Sequence, residues 1–142
     1  MRLVVDANIF VAELIRQRGR ALISRSNLEL FVAEAAWDEA QHELRKRIQA
    51  MVDRGKFGFE TGEILLETAF TLAEAKARLI PEEIYAPWQD QALLRIPRDP
   101  DDWPTVALAL AIDAAIWTSD FLGCGIATWT TETLLLMNRA QD

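Results

Sequence analysis

Histidine and cysteine are nearly missing from this chain: His42 and Cys124 are single occurrences among 142 residues. A lone cysteine excludes an internal disulfide and a cysteine-based zinc site. His42 lies between Gln41 and Glu43 on the polar side of a helical pattern, the setting of a surface residue rather than a catalytic base. Long apolar runs are missing too. The longest, Val106 to Ile112, falls far short of the about 20 residues that span a bilayer. The N-terminus passes from Arg2 straight into a strand-like run and an acid. It lacks the apolar core and small-residue cleavage site of a signal peptide, so a reducing cytoplasm is the expected setting. No Gly-rich phosphate loop occurs, and no serine or cysteine sits in a recognisable nucleophile motif. Net positive charge is also absent, the formal value being −7. The chain is therefore not expected to coat nucleic acid by counterion release. An enzyme acting on nucleic acid is still compatible with that charge, because bound cations would offset part of it. Basic residues bunch at Arg16, Arg18 and Arg20 and again at Arg45, Lys46 and Arg47. Both bunches read first as solvated helix surface.

What is present fits one folded domain over residues 1–142, with 51% hydrophobic and 26% charged residues. Residues 2–5 read as a short buried strand, followed by a helix from Asn8 to about Arg18 that Gly19 stops, and a short helix from Arg20 to Arg25. Leu28 to Val32 reads as a second strand. A long helix follows from Glu34 to about Arg54, with Trp37, Ala40, Leu44, Ile48 and Met51 at helical spacing and Gly55 beyond its end. Thr61 is the expected cap of a helix to Arg78, with a short strand at Leu79 and Ile80. Pro87 to Leu94 reads as helical and Leu94 to Pro97 as extended. Asp101 or Asp102 caps a helix to Asp113 with Pro104 in its first turn. Ala115 to Thr118 and Ile126 to Trp129 read as strands around a Gly123-Cys124-Gly125 turn, and Thr131 as the cap of a last helix to Asn138. Strands alternating with helices predict a parallel sheet covered by helices.

Four acids stand out on that frame. Asp6 ends the first strand and Asp120 follows the run Ala114 to Thr118. Glu39 lies early in the long helix, and Asp102 stands at the foot of the helix that begins near Pro104. A parallel sheet brings strand ends and helix starts together at its carboxyl edge. Carboxylates ~4 Å apart at an effective dielectric of about 20 repel by roughly 4 kcal/mol per ionised pair. Divalent cations remove that penalty, and oxygen-only ligation suits Mg²⁺ or Mn²⁺. Such ions make water a usable nucleophile near neutral pH and stabilise the leaving oxygen of a phosphodiester. Asn8 and Thr118 are close enough in sequence to orient ligands or waters, whereas Asp113 belongs to the far end of its helix. Taken singly, each acid has a plainer role: Asp6, Asp101 and Asp102 as helix caps, Glu39 as solvated surface, Asp120 as a turn residue. The metal reading rests on their combination. Trp103, beside Asp102, reads as core, with stacking on a base as its alternative.

These segments resemble the PIN domain, a small nuclease fold. Val4-Val5-Asp6-Ala7-Asn8 is similar to the family's opening strand and first metal-binding acid, and Glu34 to Ala40 to the segment carrying the second. Asp99-Pro100-Asp101-Asp102 before Val106 to Ala109 resembles the third, and Thr118-Ser119-Asp120 the fourth. Glu43 rivals Glu39 as the second acid. The chain departs from many relatives in placing Phe121 directly after Asp120, where they carry a further acid. The resemblance implies a three-layer α/β/α fold with a central parallel sheet of four or five strands. It implies a Mg²⁺- or Mn²⁺-dependent ribonuclease with Asp6, Glu39, Asp102 and Asp120 as metal-binding catalytic residues. Its implied partners are an RNA substrate, a second copy in a homodimer, and an antitoxin if the chain is the toxin of a toxin–antitoxin pair; no membrane is implied. The alternative is a non-catalytic PIN-like binding module with a degenerate metal site.

Overall fold

The computed structural model describes residues 1–121 and 123–141, with side chains described as far as 139. Its first strand, β1 (Arg2–Val5), pairs in parallel with β2 (Glu29–Ala33) and with β4 (Ala115–Trp117). β3 (Ala77–Ile80) adds beyond β2, and β5 (Thr128–Trp129) beyond β4, giving a five-stranded parallel sheet in the order β3-β2-β1-β4-β5. Leu3, Val4 and Val5 are all fully buried. A strand covered on both faces needs a continuous apolar run, not an alternating one.

The crossovers account for the layers. From β1 the chain moves outward to β2 through α1 (Ala7–Ile15) and α2 (Gln17–Ile23), then to β3 through α3 (Glu34–Asp53) and α4 (Phe59–Lys76). It then returns past β1 to β4 through α5 (Glu82–Tyr85), α6 (Gln89–Arg95) and α7 (Trp103–Ile112). Right-handed crossovers running in opposite directions place their helices on opposite faces. Accordingly α1 to α4 pack on one another, while α5 and α6 pack on α7, which lies against β1, β2 and β4. The result is a three-layer α/β/α fold. The direction reverses between β1 and β4, and ligand crevices of open parallel sheets form at that reversal, beyond the carboxyl ends of the strands.

Several local expectations are corrected. The first helix breaks at Arg16, which is extended (φ −93°, ψ 139°), and not at Gly19. Arg20 closes the break by donating from Nη1 to the Leu14 and Ile15 carbonyl oxygens at 3.0 and 2.8 Å. Gly19 lies inside α2, where a Cβ would collide with the Glu13 backbone and carboxylate. It is there for close approach, not for a stop. Helix α4 begins at Phe59 with Gly58, rather than Thr61, at its cap position, and gives way to β3 at Ala77. Residues Leu94 to Pro97 are not a strand, since α6 runs to Arg95. The last helix, α8 (Thr131–Gln141), is capped by Thr130 and not Thr131. The Thr133 N–H donates to Thr130 Oγ1 at 3.1 Å and the Thr130 N–H donates to Thr133 Oγ1 at 3.0 Å, a reciprocal capping arrangement. Among the described residues no helix is long and apolar enough to cross a membrane.

Candidate active site

Asp6 is the residue immediately after β1, at the reversal of strand order, and only 4% exposed. Its backbone N–H donates to the Trp117 carbonyl at 3.1 Å, extending the pairing of β1 with β4 by one position. Its carboxylate is tied at both oxygens. Oδ1 accepts weakly from the Asn8 N–H at 3.4 Å, and Oδ2 accepts from the Thr118 hydroxyl at 2.8 Å. Asp6 is therefore a helix cap and a cleft residue together. Thr118 in turn accepts the Asp120 N–H at 3.0 Å. This two-residue turn follows from a hydroxyl two positions before a free backbone donor. It fixes the path of the loop that carries Asp120, and the one hydroxyl joins both strand ends.

Asp102 occupies the cap position of α7 but makes no side-chain capping bond. Its carboxylate instead lines a small cavity of about 80 Å³ together with Asp6, Glu39 and Asp101. Glu39 reaches the cavity because α3 starts immediately after β2. Ala35 lies one turn before it, and both residues line the same wall with Ala36. Glu43, one turn further along, does not line this cavity and pairs with Arg47 at 3.8 Å. Asp120 is exposed and does not line this cavity, and Asp113 sits past the distant end of α7 in a left-handed conformation (φ 53°).

Charge links the four acids. Burial pushes the Asp6 carboxyl above its ordinary 3.8, the Asp120 charge adds to this, and the Thr118 and Asn8 hydrogen bonds oppose it. The Asp102 carboxyl is pushed up to about 6, first by burial and then by the charges of Asp6, Glu39, Asp99 and Asp120. Glu39, exposed as a whole, is raised by desolvation of its carboxyl end and then by Asp6, Glu43 and Asp101. Among the described residues no lysine or arginine pairs with any of the four; the acid–base pairs run from Glu13 to Arg16 and from Glu43 to Arg47. Nor does any group of three acidic, histidine or cysteine side chains among them stand ready-made to hold a metal ion. The acids share a field without yet converging on one point. Their donor chemistry, all carboxylate oxygen with uncompensated charge, fits a hard divalent cation.

Asp101, read from the sequence as a helix cap, joins the cavity, and Tyr85 has no signal in the linear sequence. Asp101 lines the cavity beside Asp102 and adds charge to Glu39. Tyr85, fully buried, accepts the Ala35 N–H on its hydroxyl at 3.2 Å and packs its ring on Trp103 at 5.8 Å between centroids. It thereby ties the start of α3, which carries Glu39, to the start of α7, which follows Asp102. No side chain of the N-cap residue Ala33 serves α3, so the tyrosine hydroxyl takes up one of the free N–H groups of its first turn. Trp103 is half-buried in that contact.

A family profile described as PIN domain matches residues 4–139, nearly the whole chain. The chain belongs to the PIN domain family. PIN domains are generally nucleases and usually use divalent metals. No curated protein matches the chain.

Proposed function

We propose that this PIN domain is a Mg²⁺- or Mn²⁺-dependent endoribonuclease in which Asp6, Glu39, Asp102 and Asp120 hold the metal. One observation carries the reading. Asp6, Glu39 and Asp102, from three separate segments, line one small cavity at the strand-order reversal with Asp120 exposed on a fourth, and the three are raised first by burial and then by neighbouring acidic charge, with no paired cation among the described residues. A fold that accumulates this repulsion leaves it for a bound ion to remove. When bound, such an ion lowers the pKa of water and neutralises charge on the phosphodiester. The chain's own residues supply placement. Thr118 holds Asp6 with its free lone pairs toward the cavity, and Asp102 offers a carboxylate that its helix does not consume. The exposed Glu39 and Asp120 close the ligand set by turning about their side-chain bonds. A cytoplasmic homodimer acting as a toxin, restrained by an antitoxin over this acidic mouth, is the cellular role the family suggests.

The test is a set of single substitutions in an RNA-cleavage assay. Asp6→Asn, Glu39→Gln, Asp102→Asn and Asp120→Asn should each lower metal-dependent cleavage at least about a hundredfold while circular dichroism is unchanged. Glu43→Gln should leave it nearly intact. Full activity in any of the four removes that residue from the site. A second reading, a non-catalytic module, is favoured by two observations: the carboxylates are not preassembled, and Phe121 stands where a further acid would serve a second ion. It predicts a folded protein that cuts no RNA in either metal.

A further inference from the structure

A second cavity, of about 320 Å³, shares no lining residue with the acid cavity but is lined by residues that neighbour the third and fourth acids in the chain. One wall is Asp99, whose carbonyl accepts the Asp102 N–H at 3.1 Å and whose charge raises Asp102. Another is Phe121, the residue after Asp120. Arg95 and Arg98 line the remaining sides with Ile96 and Pro97. The two segments that carry the third and fourth acids therefore have a cationic, partly apolar hollow on their other side.

The size difference is decisive. The acid cavity, at about 80 Å³, takes ions and water but no nucleobase. The neighbouring hollow, at about 320 Å³, falls at the small end of the roughly 300–1,000 Å³ of ligand pockets. That is room for one nucleotide and not for a duplex. Its arginines are differently held. Arg95 is built into the loop: Nη1 donates to the Cys124 carbonyl at 2.9 Å, and Gly125 leaves the space its guanidinium fills. That bond uses one of five N–H donors. Arg98 is exposed and, among the described residues, forms no ion pair or hydrogen bond. Several other arginines are occupied by the fold: Arg20 on the end of α1, Arg16 on Glu13, Arg47 on Glu43, Arg45 on Phe70. Phe121 has φ 62°, a left-handed conformation uncommon for a bulky side chain. Its side chain is 8% exposed and belongs to the core, so Phe121 bounds the hollow without offering an open ring face. An exposed, unpaired guanidinium beside a hollow of this size offers a contact for the backbone phosphate of a single-stranded nucleic acid.

We propose that this hollow receives the nucleotide next to the scissile phosphate of a single-stranded RNA, with Arg98 and Arg95 on its phosphate. The proposal rests on the nuclease reading for its placement beside the scissile bond. It also sets two arginines beside the acidic segments of a chain whose net charge is −7.

Binding is measured by fluorescence anisotropy of a labelled single-stranded RNA of mixed sequence, over a range of KCl, on the full chain carrying Asp6→Asn so that the RNA survives. Adding Arg98→Ala should weaken binding about tenfold and reduce the slope of log affinity against log salt by about 0.7. Arg98→Glu should weaken it further. Arg54→Ala, beyond the far end of α3, should change neither quantity. Unchanged affinity and slope in both Arg98 variants overturns the proposal, as does an absence of RNA binding by the parent. Equal binding of a DNA strand of the same sequence, with equal loss in Arg98→Ala, overturns the assignment to RNA. Arg98-dependent RNA binding by a wild-type protein that cuts nothing in either metal upholds the hollow and refutes the nuclease reading.

Discussion

Replacing Asp102 with asparagine should make the metal-free protein more stable at neutral pH. Its carboxyl is pushed up to about 6 from an ordinary 3.8, by burial first and by four neighbouring charges after it. Each pH unit of difference between folded and unfolded values is worth about 1.36 kcal/mol, which sets a ceiling of about 3 kcal/mol on the cost of ionising it in the fold. The side chain is only half-buried, and solvent screening reduces this to about 1–2 kcal/mol. The sign follows from proton counting. Below about pH 4 the group is protonated in both states and costs nothing. Between about 4 and 6 the unfolded chain has ionised while the folded Asp102 keeps its proton, so stability falls as pH rises. Above about 6 the full penalty persists. Asparagine removes the charge and loses no helix cap, because Asp102 makes no capping bond. Urea unfolding in EDTA at intervals from pH 4 to 8 is the assay. The variant should be more stable than wild type by about 1–2 kcal/mol at pH 7, or about 3–6 °C in Tm, and the advantage should vanish near pH 4. Magnesium should raise wild type toward the variant and leave the variant little changed. A variant less stable than wild type at pH 7 in EDTA, or an advantage that does not shrink on acidification, would refute the reasoning.

Three further outcomes follow from single contacts. Thr118→Val removes the hydroxyl shared by Asp6 and the Asp120 N–H; it should cost about 1–3 kcal/mol in urea unfolding and cut cleavage at least about tenfold, with Thr118→Ser largely restoring both. Tyr85→Phe deprives the Ala35 N–H of its acceptor and should cost about 0.5–1.5 kcal/mol; a variant as stable as wild type would show that the hydroxyl does not hold the start of α3. Gly19→Ala drives a Cβ into Glu13 and should destabilise by about 1–3 kcal/mol; a variant as stable as wild type would show that α1 and α2 do not need this close approach.

The parts of the fold written in the sequence are those set by near neighbours. A continuous apolar run followed by an acid marks the buried strand ending at Asp6, and Pro104 behind Asp102 marks the start of α7. These same signals single out Asp6, Asp102 and Asp120 as candidates, because strand ends and helix starts are where an open parallel sheet forms its crevice; Asp6 and Asp102 line the cavity there and Asp120 does not. What stayed hidden depends on contacts between distant segments. The break at Arg16 is stabilised by Arg20 reaching back to two carbonyls, whereas Gly19 carried the obvious but misleading breaker signal. Thr130 outdid Thr131 as a cap because Thr131 is buried in the core, its hydroxyl accepting from the Trp117 indole and donating to Glu13. Tyr85 is fifty positions from the backbone amide it satisfies, and no local pattern announces that. Glu39 and Glu43 are separated by one helical turn, and periodicity sets Glu43 nearer the buried stripe, so it does not single out Glu39. Their surroundings differ: Glu39 lines the cavity and Glu43 pairs with Arg47.

The most direct test of the central claim is cleavage of a mixed RNA pool by the purified wild-type protein in Mn²⁺, Mg²⁺ or EDTA, beside Asp6→Asn. The acid-cluster account predicts cutting in one or both metals, none in EDTA, and none by the variant although it remains folded. Cutting that persists in EDTA or in Asp6→Asn would contradict it.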